Sequence, residues 1–264
     1  MICINDFSRK FEMDLYSLCE RSPYGARIIS YHAAYHGKKY NFLDFWIQRD
    51  KNNKAVCAFC KYYSTVIICG QPSEKSEAED FIRMLSPVNI LCDDSLKLDL
   101  GMKVEKGETM ECTELSEMSS GANIKIIRLS SDMENLKSVY LLICEESGNK
   151  TSMPDFESYF LDISHKMRHG FSEVYAVCDE EGNIVSTAAV LAVSQFSCVI
   201  GCVATSPKFR KRGYATALVR YITEKKLKTG RIVYLHREKY ISIYEKTGFK
   251  TVGLWNELTR CDNG

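Results

Sequence analysis

The sequence predicts an α/β fold made of two mixed-sheet domains flanked by helices, and three observations carry that expectation. Short β-branched runs alternate with amphipathic helical segments along all 264 residues. The order of these segments in the first half repeats in the second. Near the C-terminal end, Val203 to Val219 reads VATSPKFRKRGYATALV, an apolar strand that breaks into a short basic turn and restarts as a helix.

Taken in order, the first half holds FLDFWIQ, the turn DKNNK, AVCAFCKYYSTVIICG, a helical SEKSEAEDFIRML, the strand NILCDD and LGMKV. The second holds NIKIIRL (Asn123 to Leu129) and helices near Asp132 to Cys144 and Asp155 to Met167. Asp132 and Pro154 suit helix starts, because Asp caps free amides and Pro tolerates the first turn. There follow EVYAVCD, the turn EEGN, IVSTAAVLAVSQFSCVIGCVATS, and a helix over Tyr214 to Leu227 with Ala217, Leu218, Tyr221 and Ile222 at helical spacing. A strand (Arg231 to Arg237), a helix (Tyr240 to Gly248) and a strand (Phe249 to Leu258) close the chain.

Gly101-Met102-Lys103-Val104 lines up with Gly248-Phe249-Lys250-Thr251. The two halves read as a tandem duplication of one unit, or else as two unrelated mixed domains. Between them Glu105 to Asn123 is polar, without periodicity, and holds Ser119, Ser120 and Gly121; it is expected to be an interdomain linker, dividing the chain into 1–117 and 118–264. Residues 1–120 carry 15 basic and 18 acidic side chains, against 20 and 16 beyond, so the cationic surface belongs to the second half.

A formal net charge of +1 gives no global signal for nucleic acid. No apolar run reaches 18 residues and the N-terminus lacks a signal-peptide pattern, so neither a membrane nor export is expected and the cytoplasm is. The 12 cysteines scatter through apolar segments as small core residues. Cys57 and Cys60 lie three apart on a strand, on opposite faces, which disfavours a shared metal or disulfide. Cys198 and Cys202 are expected to share a face. His165 and His169 lie four apart near a helix end, as surface residues do, and no metal site is expected.

The basic turn is the chemical signal. From Lys208 to Arg231 nine Lys or Arg residues stand against one acid, Glu224. A helix starting at Gly213 leaves its first amides unpaired with a partial positive charge, and small Gly213 and Ala215 let a ligand approach the backbone. A polyanion such as a pyrophosphate fits there without a metal.

Arg210-x-x-Gly213-x-Ala215 resembles the acyl-CoA-binding motif of the GNAT N-acetyltransferases, and the Tyr244 to Phe249 run YEKTGF resembles that family's closing motif. The resemblance implies acetyl-CoA as acyl donor, no metal, and a small-molecule or peptide amine as acceptor. It implies that backbone groups of Val203, Ala204 and Thr205 pair with the pantetheine arm where two strands splay. It places the pyrophosphate on the turn of Arg210, Lys211, Arg212, Gly213, Tyr214 and Ala215, with Thr216 helping. Tyr244 falls at the general-acid position; a phenol of pKa about 10 is a reasonable donor to a departing thiolate. Alternatively, Tyr244 packs in the apolar stripe of a short helix. Arg237 departs from the family, in which Asn stands seven residues before the Tyr.

The first half has GQPSEKS in place of the turn and Lys97 in place of Tyr244, so it resembles a unit that has lost its cofactor site. It is expected to pack on the catalytic half and limit which acceptors reach Tyr244. Tyr31, Tyr35 and Tyr40 with His32 and His36 are expected either to pack there or to line an acceptor pocket. Among His165, His169, Glu157 and Glu173 no general base is legible. Two other readings stand beside the enzyme: a non-catalytic acyl-CoA-binding or protein-interaction module, and a tandem protein transferring aminoacyl groups from tRNA, against which the intact turn argues.

Overall fold

The computed structural model describes residues 1–36, 38, 40–117, 124–147, 154–238 and 242–261. The first half runs through β1 (Ile2–Ile4), α1 (Arg9–Cys19), α2 (Pro23–Ala34), β2 (Leu43–Arg49), β3 (Ala55–Tyr62), β4 (Thr65–Gly70), α3 (Lys75–Leu85), β5 (Asn89–Asp93) and β6 (Lys103–Cys112). The second repeats that order with β7 (Ile127–Arg128), α4 (Met133–Ser147), α5 (Phe156–Arg168), β8 (Glu173–Cys178), β9 (Ile184–Val193), β10 (Ser197–Thr205), α6 (Tyr214–Leu227), β11 (Ile232–Arg237), α7 (Ile243–Thr247) and β12 (Lys250–Thr259). Helix starts follow their caps: Ser8, Ser22 and Asp155 each accept a first-turn amide, and Pro23 opens α2 where its missing N–H costs nothing.

All twelve strands join one sheet in the order β1-β2-β3-β4-β5-β12-β6-β11-β10-β9-β8-β7. The halves exchange strands at its centre. β12, from the end of the chain, pairs antiparallel with β5, and β6 pairs antiparallel with β11; β6 and β12 pair with each other from Lys103↔Thr259 to Glu111↔Lys250.

Residues 105–112 are therefore not a linker but most of a central strand. Their charges hid it: Glu108 is held by Arg237 and Lys106 Nζ lies 2.7 Å from Asp94, while only Thr109, Met110 and Cys112 of the strand are buried. Residues 118–123, with Ser119, Ser120 and Gly121, lie outside the described residues, as do Tyr240 and Ile241 at the expected start of α7.

Helices cover both faces. In the first half Leu15 and Ile28 of α1 and α2 pack on Phe45 and Cys60, and Ile82 of α3 packs on Phe59 and Ile68. In the second, Leu218 and Ile222 of α6 pack on Val190 and Val233, and Leu136 and Ile163 of α4 and α5 on Val174 and Ala189. Cys57 and Cys60 do lie on opposite faces. Cys198 and Cys202 do not share one, because β10 shifts register between Gly201 and Ala204 and Cys202 takes a φ of 53°, which breaks the two-residue alternation.

The second half also receives α2 from the first. Ala26 packs against Ala192, Val199 and Tyr234, and Ser30 Oγ accepts from Val193 N at 3.2 Å. From the other side, Asp162 on α5 accepts from the hydroxyls of Tyr35 (3.1 Å) and Tyr62 and is paired with buried Lys166 at 2.6 Å, whose ammonium sits 5.0 Å over the Tyr31 ring. Tyr31 and Tyr35 thus join the halves. No helix among the described residues is long and apolar enough to cross a membrane.

Candidate active site

β10 and β11 run parallel and pair from Ser197↔Ile232 to Ile200↔Leu235, and no further. Beyond that point the irregularity at Cys202 turns the end of β10 away, so Val203 to Thr205 leave a gap beside the end of β11. A single helical turn (Pro207–Phe209) carries the chain from β10 into the basic loop. Lys211 at φ 63° and Gly213 at φ 82° then reverse it into α6. A Cβ on Gly213 would meet only Ile124 Cδ1 at 4.0 Å, so the space over the turn is open to a ligand.

The start of α6 fits an anion. Its first intrahelical bond runs from Ala217 N to Gly213 O, leaving the amides of Tyr214, Ala215 and Thr216 without helix partners. No side chain caps them and the first turn holds no acid. Phosphate oxygens there would meet both free N–H groups and the positive end of a 14-residue helix.

These parts surround one pocket of about 220 Å³, lined by Val203, Thr205, Arg210, Lys211, Gly213, Tyr214, Ala215, Thr216 and Tyr244. Of the other residues the sequence singled out, Ala204 is buried under α4 and α5, and the Arg212 guanidinium lies 5.0 Å over the Phe209 ring. Glu146, Phe209 and Ile243 also line the pocket and escaped the sequence reading. Phe209 stands one residue before the motif and could have been found; Glu146 comes from the distant end of α4 and pairs with Arg210, whose Nε also donates to Thr205 O at 3.2 Å.

Tyr244 is only 8% exposed, and burial raises its phenol above its ordinary value, against a smaller opposite pull from Arg237. Arg237 takes no part in the pocket lining. It is clamped between Glu108 of β6 and Glu245 of α7, which fixes the short helix that carries Tyr244.

The candidate bases lie elsewhere. Glu173 pairs with Lys226 at 2.9 Å and accepts from Tyr175, His165 stacks on Tyr35 and contacts Ala34 O, and Glu157 is exposed on α5. Among the described residues no group of three or more His, Cys, Asp or Glu is arranged to hold a metal.

The corresponding place in the first half is built against an anion. Glu77 stands in the first turn of α3, and Gln48 Nε2 donates to Glu74 O and Glu77 Oε2. Lys97, at the position of Tyr244, is paired with Asp94 at 2.5 Å.

Residues 171–251 match the family model described as the acetyltransferase (GNAT) domain. The match spans 81 of the 264 residues. The chain's fold is similar to a Drosophila protein (TM-score 0.67, 11% identity, 100% of this chain and 99% of that one). It is similar too to a tandem GNAT protein from the clavulanic acid biosynthesis pathway (0.60, 11%, 98% and 97%). An acetyltransferase from the GNAT family from Colwellia psychrerythraea gives 0.55 at 12% identity, over 98% and 100%. These likenesses show the fold, and they extend it over both halves. A search of curated protein sequences gave no match.

Proposed function

We propose that the protein is an acetyl-CoA-dependent N-acetyltransferase that acts on an amine of a small molecule or peptide, with its donor bound only in the second half. The observation that carries this reading is the convergence of the β10 end, the unpaired amides of α6 and the Tyr244 side chain on one pocket. Acetyl-CoA, when bound, supplies an acyl thioester. Val203 to Thr205 would align its pantetheine arm, and the turn from Arg210 to Ala215, with Thr216, would hold its pyrophosphate. Tyr244 would keep a proton on Oη at neutral pH and give it to the sulfur as the C–S bond breaks, while the amine nitrogen loses its own proton to water. The burial that raises Tyr244 favours the protonated donor this role needs.

Calorimetry with acetyl-CoA tests the reading. Gly213→Glu places a side chain and a negative charge where phosphate must sit, and is expected to abolish binding while the protein stays folded. Unchanged affinity in the folded variant would sink the proposal. A screen of amines with detection of released CoA thiol then separates the enzyme from a non-catalytic acyl-CoA-binding module, which would bind the donor and release none.

A further inference from the structure

A second, larger cavity of about 500 Å³ lies beneath the turn between α1 and α2, across the joint of the halves. Asp93 ends β5, Thr109 and Glu111 come from β6, Gly253 from β12 and Tyr234 from β11, while Tyr24 closes it from α2. It occupies the sheet face of Tyr234, opposite the face on which Leu235 packs with α6 and Tyr244, and it shares no residue with the Tyr244 pocket. The strand exchange creates it. Because β12 lies between β5 and β6, carboxylates from two strands of the first half meet a glycine from the end of the chain there.

Its polar groups are unfinished. Tyr24 and Thr109 are each 4% exposed; their hydroxyls lie close together, yet neither completes a hydrogen bond. Buried hydroxyls normally find partners, so two left open on a cavity wall point to a ligand that supplies them. Asp93 Oδ1 accepts from Ser95 N at 2.9 Å, whereas Oδ2 faces the open space over Gly253, 3.9 Å from where a Cβ would stand. Glu111 stands on β6 opposite Tyr234 of β11 and Lys250 of β12, and its carboxylate lies by the Tyr234 hydroxyl. The one basic side chain on the lining, Arg21, is exposed at the rim.

We propose that this cavity binds a small primary amine as its ammonium cation. An ammonium group has three N–H donors and no acceptor, which matches a wall of two carboxylates and two hydroxyls able to accept. An anion would meet Asp93 and Glu111, and an apolar molecule would leave all four polar groups unsatisfied.

The test uses the whole 264-residue chain, with ethanolamine and 1,4-diaminobutane as probes and ethylene glycol and 1,4-butanediol as uncharged counterparts, read by calorimetry and thermal shift. Saturable binding of the amines and none of the diols is expected. Asp93→Asn removes the charge, and Gly253→Leu fills the space without strain, since Gly253 has no positive φ. Each is expected to weaken amine binding at least tenfold. Gly213→Glu, which blocks the acetyl-CoA turn, is expected to bind the amines as the wild type does, so the two sites are judged separately. Absence of saturable amine binding, equal binding of amines and diols, undiminished binding in both cavity variants, or loss of binding in folded Gly213→Glu would each overturn the proposal.

Discussion

Arg237 Nε donates to Glu108 Oε2 at 2.7 Å, tying the end of β11 in one half to a strand contributed by the other. The same guanidinium reaches Glu245 on α7, one residue past Tyr244, and is itself only 4% exposed. The residue that departs from the family pattern thus holds the helix on which the proposed proton donor rides.

Arg237→Met is expected to lower both stability and turnover. It leaves Glu108 and Glu245 facing each other without a cation, and since both carboxylates are about a third exposed, the cost is about 1–3 kcal/mol rather than that of a fully buried pair. The melting temperature should fall by several degrees and kcat should drop with little change in acetyl-CoA affinity. An unchanged melting curve would show that water replaces the clamp.

Tyr244→Phe is expected to cut turnover on the order of 10²-fold with donor affinity nearly intact, because it removes a proton and little volume. The pH profile adds a sign. The phenol is raised above 10 by burial, so the donor form persists through neutral pH and is lost only as pH rises past the raised value. Any fall of kcat between pH 7 and 9 in the wild type must then come from another group, and its persistence in Tyr244→Phe would show that.

His236 gives an acid-stability prediction. Burial and then Arg27 lower it from 6.5 to about 3 in the folded protein. The unfolded chain binds the proton first, so the contribution of His236 is fully present above pH 6.5 and is lost as pH falls toward 3. Denaturant melts of His236→Gln, set against the wild type at pH 7.5 and 4.5, should show a smaller loss of stability on acidification. Parallel losses would mean that other groups govern acid unfolding.

The framework of the candidate site was legible because it is local. The strand, turn and helix from Val203 to Thr216 lie within one stretch of chain, where β-branched residues, a positive-φ glycine and a run of cations each leave a mark. What depended on distant partners was not legible. β6 looked like a linker because Glu108 and Lys106 carry charges whose counterions, Arg237 and Asp94, lie elsewhere in the chain. The face of Cys202 was misread because a bulge does not show in the alternation of residue types. Glu146 reaches the pocket only through the packing of α4.

The strand exchange bears on whether either half stands alone. A fragment of residues 118–264 keeps β12 but removes both its neighbours, β5 and β6, and bares the edge of β11 as well. Leu258 would lose the first-half cluster around Phe59 and Ile68, and Val233 and Leu235 would lose Met110 and Cys112 beside them. The fragment is expected to lack a cooperative thermal transition and to bind no acetyl-CoA, and the fragment 1–117, deprived of β12, is expected to fare no better. Mixed from denaturant, the two should recover a cooperative transition and donor binding together, since each supplies the strand the other lacks. A lone 118–264 fragment that melts cooperatively and binds acetyl-CoA would show that the second half is a self-sufficient domain, with the exchanged strands an addition to its stability and not a condition of it.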